Sequence, residues 1–169
     1  MKIYVSPKYI LLSIALSFLF SPKSWSNEAA KYAEALLGTP YSAFANNLET
    51  GGKKGVSCIS IVQYALDKLG YSCPEPDFKK YYEGLINQAE ELEFGKTGLS
   101  DKGVILFNRY HFAVFDKDIN ENGVIDEGDT IIHARFESLR AEPIFNWTEK
   151  DNARPIYAVR LGAGFQCPE

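Results

Sequence analysis

The sequence predicts an α+β fold, with amino-terminal helices packed on an antiparallel β-sheet. Three observations lead there. The helical patterns all fall between residues 28 and 92. Four strand-like runs follow with no helical pattern between them. No linker, repeat or low-complexity segment divides the chain. Composition agrees: 169 residues at 46% hydrophobic, 14% aromatic and 24% charged make a globular balance that excludes disorder, collagen-like repeats and coiled coil. The length suits one domain of roughly 100–200 residues.

Residues 1–26 read differently from the rest. Lys2 and Lys8 give a basic start, residues 10–20 (ILLSIALSFLF) are apolar, and Ser24-Trp25-Ser26 supplies small residues for cleavage. This is the pattern of a secretory signal. The apolar run falls short of the ~20 residues that a membrane span needs, and an uncleaved anchor is the alternative. Loss of Lys2, Lys8 and Lys23 leaves 15 basic against 22 acidic residues, a net charge of −7 for residues 27–169. So acidic a surface argues against nucleic-acid binding, which needs cationic surface. The expected product is an exported, soluble, monomeric single domain with no transmembrane segment after signal cleavage.

In order along the chain, residues 28–37 (EAAKYAEALL) are good helix formers that stop at Gly38 and Pro40. A loop rich in Gly, Asn and Ser spans 41–57. A second helix is expected over 58–69, with Ile61, Val62, Ala65, Leu66 and Leu69 at helical spacing and Gly70 as its stop. A third is expected over 77–92. Strands are expected at 103–107, 110–115, 130–135 and 155–161.

The three cysteines are an odd count, which in an oxidising compartment implies one disulfide and one free thiol. Cys73 and Cys167 each precede a proline at loop or terminal positions, whereas Cys58 opens a helical pattern. Cys73–Cys167 is therefore the expected bridge, with Cys58–Cys73 the rival. Ser57 is a good N-cap, placing Cys58 in the first turn, where the helix dipole and unpaired N–H groups favour thiolate and could hold an oxyanion. An inert buried cysteine is the alternative. The chain's two histidines, His111 and His133, lie on adjacent expected strands. Nucleophile, base and orienting group are the three parts of thiol catalysis, and Cys58, His111 and His133 supply them in that order.

The run Leu37-Gly38-Thr39-Pro40-Tyr41, then Gly55-Val56-Ser57-Cys58 leading into Ile61-Val62-Gln63-Tyr64-Ala65-Leu66, resembles the nucleophile region of the NlpC-type cell-wall cysteine peptidases. The strand at His111, the Ile132-His133-Ala134 strand and the final Tyr157-Ala158-Val159-Arg160 resemble that family's later strands. The resemblance spans the chain after residue 26. It implies a papain-like NlpC-type fold, a bacterial periplasmic or secreted location, peptidoglycan stem peptides as substrate, and a role for Tyr41 in orienting the site or polarising the substrate. A packed loop aromatic is the other reading of Tyr41. Ser57, Ile59 and Ser60 stand where the family usually has Asp, Ser and Gly.

Between the histidine strands lies an acidic connection, residues 116–129, longer than the usual hairpin loop of 2–5 residues. Counted from Asp118, it has EF-hand spacing: Asp118, Asn120 and Asn122 at positions 1, 3 and 5, Gly123 at the turn, the Val124 carbonyl at 7, Asp126 at 9 and Asp129 at 12. Such spacing wraps oxygen ligands around one point, so a structural calcium is expected, joined to catalysis because the loop links both histidine strands. Asp at position 12 in place of Glu shortens the reach. A solvated acidic loop is the alternative. The functional expectation is an exported cysteine peptidase or amidase acting on peptidoglycan stem peptides; the rival is an inactive calcium-dependent binding module of the same fold.

Overall fold

A computed structural model describes residues 27–43, 55–75, 77–150 and 154–168. The expected signal segment, residues 1–26, lies outside them, as does 44–54 of the loop before Cys58. Helix α1 is Glu28–Glu34, capped by Asn27, whose side chain accepts from the Ala30 N–H at 3.0 Å. The Asn27 amide also donates to the carbonyls of Phe115 and Asp116, tying the helix start to the sheet. Ala29, Ala30 and Ala33 are buried, and a Cβ on Gly103 would lie 2.6 Å from that of Ala29, so only glycine allows so close an approach. The helix is shorter than expected: beyond Glu34 the chain turns, and Gly38 takes φ +83°.

Helix α2, Cys58–Lys68, agrees with expectation to within a residue. Helix α3, Phe78–Ile86, begins at its Asp77 cap and buries Tyr81 and Leu85. It ends well before residue 92, because Glu90–Glu91 form strand β1, which pairs with the last strand. Glu90 and Glu91 are exposed, so an edge ladder decides their conformation, which periodicity does not register.

The remaining strands are β2 (Val104–Asn108), β3 (His111–Lys117), β4 (Thr130–Arg135), β5 (Ser138–Pro143) and β6 (Tyr157–Arg160), with helix α4 (Ile144–Lys150) after β5. They form one six-stranded sheet, order β1-β6-β2-β3-β4-β5, antiparallel at every pairing. Strand β5 and helix α4 lie outside the elements expected from sequence. The first reads SLRAEP, a half-exposed edge strand, and the second is only seven residues long. Both sheet faces are covered. Ile105, Phe107, Phe112, Val114, Ile132 and Ala134 face the core shared with α1, α2 and α3. Val104, Leu106, Ala113, Phe115 and Ile131 face the core containing Ile144 and Trp147 of α4. Two-sided burial explains why β2 reads as an unbroken apolar run.

Cys73 and Cys167 are bridged and Cys58 is free and buried, the pairing expected from sequence. The bridge spans 94 residues of separation and holds the C-terminal tail, where Gln166 and Gln88 exchange hydrogen bonds. A loop that long contributes ~2–4 kcal/mol through the unfolded state. Among the described residues no helix is long and apolar enough to cross a membrane.

Candidate active site

The nucleophile's position begins with its cap. The Ser57 hydroxyl accepts from the Ser60 N–H at 3.2 Å, and the Ser60 hydroxyl accepts from the Ser57 N–H at 2.8 Å. This reciprocal box fixes the first turn of α2. It also gives Ser60 a structural task at a position where the resembling family has glycine. Upstream, Gly55 takes φ +94°, and a Cβ there would fall 2.3 Å from the Pro40 carbonyl oxygen. Glycine is required for the two chain segments to meet. They do so through the Val56 N–H donating to Pro40 and the Ser42 N–H donating to Val56, at 2.8 and 2.9 Å. Tyr41 is thus locked beside the approach to Cys58. Its phenol is held above its usual pKa, first by burial and then by the nearby Cys58 charge.

Cys58 is 9% exposed. Its sulfur lies within reach of the backbone N–H groups of Phe112, Ile59 and Cys58 itself, which favour thiolate. Burial is the larger effect and pushes the thiol up. The N–H groups expected at the helix terminus are present and favour thiolate, but desolvation outweighs them.

His111 opens β3, immediately before Phe112. Its Nε2 lies 2.8 Å from His133 Nδ1, and His133 Nε2 lies 2.7 Å from Glu142 Oε1. Glu142, on the edge strand β5, also pairs with Arg140 at 3.3 Å. Trp147 is fully buried and sets its ring edge-on to His111, centroids 5.7 Å apart, and near His133 at 6.5 Å. His133 is completely buried. Burial first, then the charges of Arg140 and Arg135, lower its pKa to about 3. Burial, His133 and Arg135 lower that of His111 to about 3 as well. Both rings are therefore neutral at physiological pH.

Neutrality fixes the tautomers. An ionised carboxylate only accepts, so His133 Nε2–H donates to Glu142 and the bare Nδ1 accepts from His111 Nε2–H. His111 is left with its lone pair on Nδ1, the state a general base needs. Among the described residues no hydrogen bond joins Cys58 to His111; the sulfur touches the β3 backbone one residue further on. The structure therefore brings His111 and His133 into direct contact, places Tyr41 and Cys58 together, and adds Glu142 and Trp147. Glu142 lies outside the expected site because its half-exposed strand carries no apolar pattern; its alternation with Arg140 is the available signal.

No family model and no curated protein matches the chain. Among solved structures it is similar to the P60 domain of an antigen from M. avium paratuberculosis, with TM-score 0.52, 13% identity, and coverage of 89% of this chain and 99% of that one. The chain has the fold of a P60 domain. At that identity the likeness is one of architecture: helices on a six-stranded antiparallel sheet, as expected from the order of elements.

The acidic loop lies away from His111. Strand β3 runs from His111 to Lys117, about 20 Å at ~3.3 Å per residue, so loop and His111 occupy opposite ends. Asp118 accepts from the N–H groups of Asn122 and Gly123, Asp126 from the side-chain amides of Asn120 and Asn122, and Asp129 from the N–H groups of Ile119 and Asp126. The Val124 N–H donates to Asn122 at 3.0 Å. Ile125 is fully buried, with its N–H bonded to Thr97 and its carbonyl to Gly95. Among the described residues no three His, Cys, Asp or Glu side chains converge as a metal-holding group. The loop's own donors hold its carboxylates in place.

Proposed function

We propose that the protein is an exported cysteine peptidase or amidase that hydrolyses amide bonds in peptidoglycan stem peptides. The observations that carry this reading are Cys58 at a capped helix N-terminus, its sulfur against the Phe112 N–H, and the His111–His133–Glu142 chain that starts one residue before Phe112. The disulfide supports export, since such bridges persist in oxidising compartments. The site is complete in one chain, so a monomer suffices.

At rest the pair is a thiol and a neutral imidazole. Catalytic hydrogen bonds often tighten only in the substrate complex. His111 Nδ1 takes the Cys58 proton as the sulfur attacks the amide carbonyl, forming the S–C bond. The resulting oxyanion is held by N–H groups at the start of α2. The imidazolium then gives its proton to the leaving amine, and water releases the acyl group with His111 again as base. His133 and Glu142 hold the His111 tautomer throughout, and Tyr41 lies beside the attacked carbonyl. Digestion of purified peptidoglycan, with products identified by mass, tests the reading. Released peptides from the native protein and none from Cys58→Ala support it; release by both removes it.

The absence of a Cys58–His111 hydrogen bond and the raised thiol pKa favour a second reading, an inactive binding module. Iodoacetamide distinguishes them: alkylation of Cys58 that slows in His111→Ala belongs to the enzyme, alkylation indifferent to that substitution to the module. Calcium at Asp118, Asn120, Asn122, Val124, Asp126 and Asp129 belongs to this proposal as a structural ion. It would need the two asparagine amides to turn their oxygens inward.

A further inference from the structure

The turn between β2 and β3 carries Arg109 and Tyr110 directly before His111. Beside it opens a cavity of about 300 Å³. Its walls include Tyr82 of α3, Asn108, Arg109, Tyr110, Arg154 and Tyr157 of β6, with no aspartate or glutamate among its lining residues. In a chain whose net charge is −4, that is an unusually cationic hollow.

The cavity is built rather than incidental. The Asn108 side chain accepts from the Tyr110 N–H at 2.8 Å and sets the turn, while Asn108 pairs with His111 across the ladder. Tyr82 and Tyr157 both pack on Phe107, at 5.9 and 5.7 Å between centroids. Phe107 stacks in turn on Phe112 at 5.5 Å, the residue whose N–H reaches Cys58. Walls and reacting centre thus share one aromatic scaffold. The Arg109 guanidinium lies 4.4 Å over the exposed Tyr110 ring and has no carboxylate partner among the described residues. Arg154 is 3.5 Å from Glu127, whereas Arg109 is free to meet a ligand carboxylate. Across the site, Arg135 stacks on exposed Phe136 at 4.7 Å, so the rim on both sides of His111 is cationic and aromatic.

We propose that this cavity is a carboxylate subsite, in which Arg109, held on Tyr110, takes a free carboxylate of the peptide whose amide faces Cys58. The proposal rests on the peptidase reading and deepens it by naming what the enzyme selects: peptides that carry a free carboxylate near the scissile bond, over the same peptides amidated there. A guanidinium–carboxylate pair is charge-assisted and absent from the amide, so the acid is favoured about 10–100-fold.

Titration calorimetry of full-length Cys58→Ala with a soluble stem peptide and its amidated counterpart tests this without requiring turnover. The acid should bind at least tenfold tighter, with the preference shrinking as salt rises. Adding Arg109→Gln should bring the preference close to one, and Arg109→Lys should restore part of it. Equal binding of acid and amide by Cys58→Ala, failure to bind either, or a preference that survives Arg109→Gln overturns the subsite. In the native protein, loss of the preference should fall on KM with kcat little changed. A preference in Cys58→Ala alongside no hydrolysis by the native protein supports the subsite and removes the peptidase reading.

Discussion

The two ends of the β3–β4 pair are built on opposite plans. At one end His111, His133 and Glu142 come from three strands, and their partners lie 22 and 9 residues apart in sequence. They are bonded through a buried path flanked by Arg135 and Arg140. At the other end, the acidic loop meets its polar needs with donors mostly two to six residues away, largely in solvent. The first end is held by the tertiary fold and has low-dielectric surroundings that alter the chemistry of its groups. The second holds itself, and water screens its charges. Perturbing the first should therefore change reaction rate and pH response, while perturbing the second should change stability alone.

The largest effect expected is at the nucleophile. Cys58→Ala should abolish peptide release, a loss on the order of 10³-fold or more, with an unchanged melting curve. His111→Ala should match it, and the double variant should be no worse than either alone, because the two act as one unit. Additive losses measured in steady-state hydrolysis would separate them.

Glu142→Gln comes next. Glutamine can present an amide N–H as readily as an oxygen, so the tautomer lock is released while size is kept. A fall in kcat of roughly tenfold or more is expected, with KM little changed. Glu142→Ala should also cost about 1–3 kcal/mol in stability, since the buried His133 N–H loses its acceptor. A Glu142→Gln enzyme with native kcat would show that the carboxylate is only structural.

The pH response follows from the lowered histidines. Their folded pKa of about 3 lies below the unfolded 6.5, so the unfolded chain binds more protons between those values. Stability should be full above pH 6.5 and decline as pH falls toward about 3. Melting temperatures across that range, with His133→Gln showing a shallower decline, check the sign. Cys58, raised by burial, should react with iodoacetamide along a profile displaced to higher pH than an ordinary thiol.

The smallest effect belongs to the acidic loop. Millimolar calcium should raise the melting temperature by a few degrees through binding to the folded state, and Asp118→Ala should remove the rise. With the loop about 20 Å from His111 along β3, hydrolysis should change less than about twofold. A large calcium effect on rate would join the two ends; no effect on either quantity would leave the loop solvated and metal-free.

Local physics was legible in the sequence. Ser57 before an apolar helical pattern placed Cys58 in the first turn of α2, because capping involves only neighbours in the chain. Order of elements determined an α+β layout, and the prolines after Cys73 and Cys167 marked the bridged pair. The tertiary structure alone decided the rest. Residues 90–91 became a strand because β6 offered a ladder, against their helical propensity. Glu142 met His133 because β4 and β5 pair in a particular register, and register is a property of two strands together. The state of Cys58 was decided the same way: its N–H donors are local and favour thiolate, but the burial that overrides them is set by β3 and the core beneath it.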